Sequence, residues 1–376
     1  MASATGEVTD ELVSLYEELA RNGVGLIITG HLYCDPRGQY ARRQTGIHAD
    51  RLVPGLSSIA SAVRRHGGRL FAQVAHAGSQ SRIQGVRPLA PSPIPNALTG
   101  RVVPAASAPE IADVVQAFGA AAGRAAEAGF DGVHIHGANG YLISEFSSAL
   151  TNVREDGWGG SPERRDRFAL EVVRAVRGAV PPEMPVTLKL GMVDAQPEGL
   201  ALAESVERAE RLVTAGLDGI EVSVNLMRQP TDSARRYVGV NRLRAISDLL
   251  PHRLFASPAS EAYFLPLARA LREHVGCRIL LAGGFRTPET MHAVLDRGDA
   301  DFIALARPFI REPELATRLA EGRAGPAECT SCNLCLMHEG HHALRCWRVP
   351  RRRLAQHALY RLRGGFREGI APRADT

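Results

Sequence analysis

The sequence predicts an α/β protein built on one parallel sheet. Short apolar runs alternate with longer segments in which apolar residues recur three and four positions apart, the patterns of buried strands and amphipathic helices. The apolar runs are nearly continuous, as expected for strands covered by helices. Seven such units over about 300 residues suit a (β/α)8 TIM barrel better than a doubly wound sheet.

Strands and helices alternate along the chain. The strand-like runs occupy residues 25–30, 70–76, 132–137, 186–192, 219–224, 278–283 and 302–307. Helical patterns start at residue 9 with TDELVSLYEELARNG and recur, among other places, in residues 110–130 and 162–180. An eighth strand would precede the first helix, where only MASATGEV stands, so we expect an abbreviated first strand. We predict a barrel over residues 1–325 and a cysteine-containing, arginine-rich C-terminal extension over residues 326–376.

The longest connections come after strands. Residues 77–107, 138–162 and 225–261 all follow predicted strands, on the face where barrel enzymes hold their active sites. The sequence therefore predicts an active site at this rim, with substrate specificity set by residues 77–107 and 225–261.

Charge and hydropathy argue against two classes of protein. The net charge is +5, but residues 341–376 alone contribute +7, so the rest of the chain is close to −2. No basic groove with interleaved aromatic residues occurs elsewhere, which argues against nucleic-acid binding. We interpret the basic tail as a solvated helix, with contact to an acidic partner as the alternative. No run approaches the roughly 20 apolar residues that span a membrane, so we expect a cytoplasmic protein.

Polar residues cluster at the end of one strand. HIHGANGY (residues 134–141) places two histidines on one face of a strand and then delivers Asn139 and Tyr141. His136, Asn139 and Tyr141 suit a site in which two donors hold a carbonyl oxygen while a phenol supplies a proton. The alternative is a pair of hydrogen-bonded core histidines with a loop tyrosine.

Gln73 and Lys189 lie inside two further strands. Gln73 needs a partner that both donates and accepts, which a core group or a ligand can supply. Lys189 is the only lysine among 45 Lys and Arg residues, and an unpaired ammonium inside an apolar strand would be very costly. It must face an anion, a carbonyl or a covalent partner, so a buried ion pair, a cofactor contact and a Schiff base all stay open.

Residues at the last two strands predict a phosphate site. LAGGFRTPETM ends a strand at Gly283 and Gly284 and opens a helix at Thr287, and the next strand ends at Ala306 and Arg307. In a barrel, glycine amides, a helix N-terminus and a cation at this place commonly bind phosphate. The layout suits flavin mononucleotide (FMN), with its ring over the barrel mouth, or a phosphorylated sugar. Close backbone packing of the glycines is the alternative.

Several longer stretches resemble one known family. They are HIHGANGYLISEFSSALTNVREDGWGGSPERRDRFALEVVRAVR (residues 134–177), FAQVAHAG, GLDGIEVSV, EAYFLPLA and LAGGFRTPETMHAVLDRGDADFIALARPFIREP. They resemble the signature motifs of the Old Yellow Enzyme family of flavin-dependent ene reductases, over roughly residues 3–347. The resemblance implies a TIM barrel that binds FMN, takes hydride from NAD(P)H and reduces the activated C=C bond of an enone or enoyl compound.

The resemblance also implies roles for individual residues. His136 and Asn139 would hold the substrate carbonyl, and Tyr141 would donate the proton. Gln73 and Lys189 would contact the flavin ring. The remaining flavin contacts would be Gly283, Gly284, Ala306 and Arg307 at the phosphate, and Ser3 and Thr5 at the end of the abbreviated first strand.

Four cysteines near the C-terminus have metal-ligand spacing: Cys329, Cys332, Cys335 and Cys346. In a cytoplasmic protein such spacing indicates a metal rather than disulfides, and the options are an iron–sulfur cluster, zinc or unmetallated thiols. The array resembles the [4Fe–4S] site of 2,4-dienoyl-CoA reductase and trimethylamine dehydrogenase. A cluster here would either need a separate electron-donor protein or be structural, and direct reduction by NAD(P)H is the simpler hypothesis.

Two other functions stay open at this point. A Schiff-base lyase using Lys189 would need no flavin, and the abbreviated first strand is compatible with a cofactor-poor or non-catalytic barrel. A homo-oligomer is a further open prediction.

Overall fold

The computed structural model describes residues 1–95, 100–226, 261–338 and 342–363. Its strands are β1 (Leu26–Ile28), β2 (Leu32–Tyr33), β3 (Arg69–Ala75), β4 (Ile94–Pro95), β5 (Val102–Val103), β6 (Gly132–Gly137), β7 (Val186–Gly191), β8 (Gly219–Ser223), β9 (Arg278–Leu281) and β10 (Phe302–Ile303). All except β4 and β5 form one parallel sheet, in the order β1-β3-β6-β7-β8-β9-β10 with β2 also paired to β3. A doubly wound sheet would reverse its strand order, and this one runs in chain order, so the predicted barrel architecture is confirmed.

The sheet agrees with an abbreviated first strand. Its path begins at β1 and ends at β10, and no strand in the described part of the chain joins these two. Residues 1–9 contain no strand. They are held by other contacts, among them a hydrogen bond from the Ala2 amide to the Arg43 carbonyl (3.1 Å).

The described residues form twelve α-helices, several of which pack against the sheet. They are α1 (Asp10–Arg21), α2 (Val53–Arg64), α3 (Ala108–Glu127), α4 (Leu142–Ser147), α5 (Pro162–Ala179), α6 (Leu202–Thr214), α7 (Leu265–Arg272), α8 (Pro288–Asp296), α9 (Arg307–Arg311), α10 (Leu315–Ala320), α11 (Leu334–Met337) and α12 (Arg351–Leu362). Side chains in the sequence set several of their starts. Thr9 caps α1, Ser161 caps α5, and Ser107 and Glu110 form a reciprocal capping box at α3.

Each central strand has one apolar and one polar face. Val133 and Ile135 of β6, Leu188 of β7 and Ile220 of β8 are fully buried and belong to one core cluster. Because side chains alternate along a strand, the residues between them face the barrel interior. This alternation places the polar residues of the predicted site on one surface.

The C-terminal segment packs back against the barrel. The Ala327 amide donates to the Arg286 carbonyl (2.8 Å), ahead of α11 and α12. The division of the chain at residue 325 stays a prediction, and residues 364–376 lie outside the described residues. In the described ranges no helix is both long and apolar enough to cross a membrane.

Candidate active site

The polar face of the sheet is assembled by strand register. β6 pairs with β7 so that His136 lies beside Lys189, and β7 pairs with β8 so that Lys189 lies beside Glu221. Two residues earlier in β6, His134 lies beside Gln73 of β3. Because residues two apart share a face, these five side chains point into the barrel. The two histidines of β6 therefore line its interior.

His136 and Tyr141 come together just beyond β6. Their ring centroids are 4.6 Å apart, and both residues are buried. Asn139 lies in the turn between them at a φ of +61°. Its amide donates to the Val224 carbonyl (3.1 Å), and its Nδ2 lies 3.4 Å from Ser223 Oγ. The residues predicted to bind the carbonyl and to donate the proton thus lie at the end of β6 and in the turn that follows it.

His136 is neutral and incompletely bonded. Burial lowers the pKa of His136 well below its usual value, and the nearby His31 and Lys189 act in the same direction. Its Nδ1 atom is buried and has no hydrogen-bond partner among the residues that the structure describes. A buried polar atom without a partner is costly, and a polar ligand atom at this place would remove that cost.

Two residues that were not predicted from the sequence lie next to Tyr141 and the turn that precedes it. His31 follows β1, and its ring centroid lies 5.5 Å from that of Tyr141. Gln80 follows β3, and its Nε2 donates to the carbonyls of Asn139 (3.0 Å) and Gly140 (2.6 Å) and so holds the turn in place. Both residues follow strand ends, on the rim where the sequence predicts the active site. That position was the signal in the sequence that could have identified them.

Lys189 is paired with Glu221, so the buried ion pair is observed. Lys189 Nζ contacts Glu221 Oε1, and His134 Nε2 lies 3.0 Å from Glu221 Oε2. His134 Nδ1 is 2.8 Å from Thr187 Oγ1. Burial by itself would raise the pKa of Glu221, but Lys189 and His134 more than offset it and hold that pKa well below its usual value. Glu221 is therefore charged.

The pair is compatible with a cofactor contact but disfavours a Schiff base. The Lys189 side chain keeps 19% exposure, and an ammonium has three donors, so it can contact a ligand in the barrel mouth as well. A Schiff-base lysine attacks a carbonyl through a free amine, whereas Lys189 Nζ is held in contact with the Glu221 carboxylate.

Gln73 and its neighbour His76 differ in their environment. Gln73 is half-buried on the interior face of β3. Burial, with a contribution from Arg37, lowers the pKa of His76 to about 4 although Asp35 opposes it, so the ring is neutral. His76 Nδ1 accepts from the Gly78 amide (3.1 Å), which is a structural role.

Ser3 and Thr5 bond locally. The hydroxyls of Ser3 (2.9 Å) and Thr5 (2.7 Å) donate to Glu7 Oε2. The two hydroxyls also lie 2.9 Å from each other. Their contact with a flavin stays a prediction.

The four residues predicted at the phosphate line one cavity of about 200 Å³: Gly283, Gly284, Ala306 and Arg307. The two glycines have φ values of +148° and +76°, a region that favours glycine. A Cβ atom on Gly283 would lie only 3.1 Å from the Tyr263 amide nitrogen. Arg307 bonds the neutral Asn333 side-chain oxygen, which leaves its positive charge for an anion. These features fit a phosphate group.

The helix start that was predicted to contribute to the phosphate site is already hydrogen-bonded within the chain. The amides of Arg286 and Thr287, at the start of α8, both donate to Glu261 Oε2 at 3.0 Å, and the Thr287 hydroxyl bonds Glu261 Oε1. A carboxylate from a distant segment therefore already complements the positive end of this helix. The predicted phosphate contacts of the glycine backbone and Arg307 do not depend on this helix start and stay a prediction.

The four C-terminal cysteines are free thiols of intermediate exposure: Cys329, Cys332, Cys335 and Cys346. Burial raises the pKa of Cys335 to about 12, and the neighbouring Cys332 and Cys329 add to the shift. Burial also raises the pKa of Cys329. Across the residues described, no three His, Cys, Asp or Glu side chains are grouped so as to hold a metal ion. The cluster or zinc site stays a prediction.

The two predicted specificity segments are only partly visible. Residues 96–99 and 227–260 lie outside the described residues. The described part of the first segment contains a short turn at residues 78–80 and the antiparallel pair β4 and β5.

Glu145 lies behind the site, in α4, and is 2% exposed. Its carboxyl group accepts from the Ser79 amide (3.0 Å) and contacts the Ser79 hydroxyl. Burial raises the pKa of Glu145 to about 8, although the Ser79 hydrogen bonds lower it. The folded protein keeps this proton while the unfolded chain releases it above its ordinary pKa of 4.5. This group therefore makes the protein less stable as pH rises from about 4.5 to about 8.

Glu145→Gln is expected to remove that loss. The amide resembles the protonated carboxyl, so the variant should have the same free energy of unfolding as the wild type at pH 5. At pH 7 the free energy of unfolding of the variant should be higher by up to roughly 3 kcal/mol, because each pH unit in this window contributes about 1.4 kcal/mol. Urea unfolding at both pH values measures the difference. The control is Glu171→Gln, which removes a partly exposed carboxylate paired with Arg167. An equal difference in free energy of unfolding between Glu145→Gln and the wild type at pH 5 and pH 7 would contradict the raised pKa of Glu145.

Comparisons with known proteins bear on the family and on the fold. The family model described as the NADH:flavin oxidoreductase / NADH oxidase family matches residues 1–325. NADH oxidase from Thermoanaerobacter brockii is 33% identical over 339 residues, which are 89% of this chain and 49% of that protein. NADPH dehydrogenase from Geobacillus sp. (strain WCH70) is 35% identical over 302 residues, 79% of each protein. The structure of morphinone reductase in complex with tetrahydroNAD superposes with a TM-score of 0.68 at 25% identity, over 88% of this chain and 86% of that chain. The chain thus spans about half the length of the Thermoanaerobacter brockii enzyme.

Proposed function

Since the chain belongs to the NADH:flavin oxidoreductase / NADH oxidase family, we propose that it is an FMN-dependent NAD(P)H oxidoreductase that reduces the activated C=C bond of an α,β-unsaturated carbonyl compound. The observation that carries this substrate class is the contact between His136 and Tyr141. A neutral imidazole, one of whose buried nitrogens has no hydrogen-bond partner in the described part of the chain, lies beside a phenol at the mouth of the barrel. Such a pair can bind a carbonyl oxygen and deliver a proton close to it.

The chain's own residues would perform three tasks. The cavity at Gly283 and Arg307 would anchor the FMN phosphate, and Lys189, tethered by Glu221, would hold positive charge near the flavin ring. His136 and Asn139 would donate to the substrate carbonyl oxygen, which draws electron density from the β-carbon.

Bound FMN would supply the hydride for the β-carbon, with NAD(P)H as the reductant. Tyr141 would transfer its phenol proton to the α-carbon, so its O–H bond breaks as a C–H bond forms. The substrate leaves with one hydride and one proton more than it brought. The phenol then regains its proton from water.

An absorption spectrum and an FMN titration of the purified protein test the cofactor. Flavin absorption, in the protein as isolated or after FMN is added, is the expected result. A colourless protein that takes up no FMN would refute the proposal. With FMN bound, anaerobic mixing with NAD(P)H and then with a cyclic enone or an enoyl thioester tests the substrate class.

Arg307→Ala is expected to raise the FMN dissociation constant by about 10- to 100-fold, because a hydrogen bond to a charged group contributes about 1.5–3 kcal/mol. Fluorescence titration with FMN measures it. The matched control is Arg311→Ala in the same helix α9, whose guanidinium contacts Glu328 (2.6 Å) rather than the cavity. Equal affinities for the two variants would place the phosphate elsewhere.

Two finer points belong to the same proposal. The substrate would be an enone or an enoyl thioester. The four C-terminal cysteines would hold an iron–sulfur cluster, and iron analysis of the isolated protein tests this. An electron-donor protein is needed only if iron is found. Direct reduction by NAD(P)H needs neither of them.

A further inference from the structure

The loop after β1 brings a third ring against the pair of His136 and Tyr141. His31 Nε2 lies 3.2 Å from the Tyr141 hydroxyl. The His31 ring centroid is 6.2 Å from that of His136. Tyr141 is the proton donor of the proposed function, so any group bonded to its oxygen acts on the atom that gives up the proton. This inference therefore rests on the proposed function.

Gln44 holds the other side of the His31 ring, and its amide can be oriented from its contacts. The Tyr40 backbone N–H donates to Gln44 Oε1 (2.7 Å), so that atom is an oxygen that accepts. Gln44 Nε2 lies 3.0 Å from the His31 carbonyl oxygen, which can only accept. These two bonds independently assign the same orientation to the amide.

The orientation of Gln44 determines which nitrogen of His31 carries hydrogen. Gln44 Nε2 is also 2.9 Å from His31 Nδ1, and an amide nitrogen is a donor only. A hydrogen on Nδ1 would oppose that donor, so Nδ1 presents its lone pair. A neutral imidazole has a single N–H, which must then be on Nε2, facing Tyr141.

We propose that His31, in the tautomer imposed by Gln44, is a positioning residue that donates an N–H hydrogen bond to the Tyr141 oxygen. The phenol oxygen accepts in this contact, so the contact does not use the phenol's own hydrogen. When that hydrogen leaves for the α-carbon, the oxygen becomes a phenolate, and the bond from His31 strengthens because its acceptor is now charged. His31 thus stabilises the product of the proton transfer.

The first test is an ultraviolet difference titration that follows tyrosinate formation, with each variant compared against the same variant carrying Tyr141→Phe. In His31→Phe the ionisation of Tyr141 is expected to move up by about one to two pH units, since a hydrogen bond to a charged acceptor is worth about that much. Gln44→Met frees the ring to choose either tautomer and should give a smaller shift in the same direction. His31→Gln, which retains a side-chain N–H, should restore part of the wild-type value.

His66→Phe is the matched control, because His66 contacts Glu17 on the surface, away from the site. The second measurement is enone reduction: His31→Phe should slow it at least 10-fold, and should have no further effect in a Tyr141→Phe background. The proposal is overturned if Tyr141 ionises at the wild-type pH in both His31→Phe and Gln44→Met, or if the shift is not accompanied by a slower reaction. The titration needs no substrate. If the wild-type protein reduced no enone but Tyr141 ionisation still shifted in His31→Phe, the result would count against the proposed function and would leave the hydrogen bond established.

Discussion

Tyr141→Phe is expected to slow the reduction of an enone by about 10²- to 10⁴-fold, the usual contribution of a general acid, and to leave the reduction of bound flavin by NAD(P)H nearly unchanged. The phenol would act only when the α-carbon receives its proton. The ring, in contact with His136, is retained in Phe, so packing should change little. Anaerobic stopped-flow measurements of the two half-reactions separate these effects.

The control for this experiment is Tyr33→Phe. Tyr33 is also buried, but its ring stacks on His48 (centroids 4.7 Å apart) rather than on a site residue, and both half-reactions should keep their rates. If Tyr141→Phe slowed both half-reactions equally, its role would be structural. If it slowed neither, the proton would come from another group.

The parts of the candidate site that the sequence predicts lie directly after one strand or after two adjacent parallel strands. His136, Asn139 and Tyr141 lie within six residues of one another, so local spacing was sufficient to place them together. Gly283 and Arg307 follow adjacent strands, and parallel strands end at the same rim. The barrel itself could be predicted because its strands and helices have distinct hydrophobic periods.

The parts that sequence could not predict depend on contacts between distant segments. Glu221 pairs with Lys189 because of the exact register of two strands, and a shift of one residue would turn it to the other face. Glu261 caps α8 from 25 residues away. Gln44 reaches His31 through an irregular loop. No periodic pattern marks such contacts, because loop conformation decides them.

Lys189→Met is expected to lower the free energy of unfolding at pH 7 by about 3–5 kcal/mol, because it leaves the Glu221 carboxylate buried without its ammonium partner. The effect should depend on pH. In the wild type the lowered pKa of Glu221 contributes stability that is present above the ordinary value of 4.5 and is lost as pH falls below it. In the variant, burial dominates, the pKa of Glu221 rises, and stability instead falls as pH increases through 4.5.

Urea unfolding of both proteins at equal flavin content should therefore show a small difference at pH 4 and a large one at pH 7. The double variant Lys189→Met, Glu221→Gln removes the buried charge and should recover most of the lost stability. Lys189→Arg keeps a cation beside Glu221 and should cost much less than Lys189→Met. A loss that is equal at both pH values, or that persists in the double variant, would mean that Lys189 stabilises the barrel by packing rather than by its charge.

Flavin affinity measured on the double variant then separates the two tasks of Lys189. If the double variant is stable but binds FMN weakly, the Lys189 ammonium itself contacts the flavin.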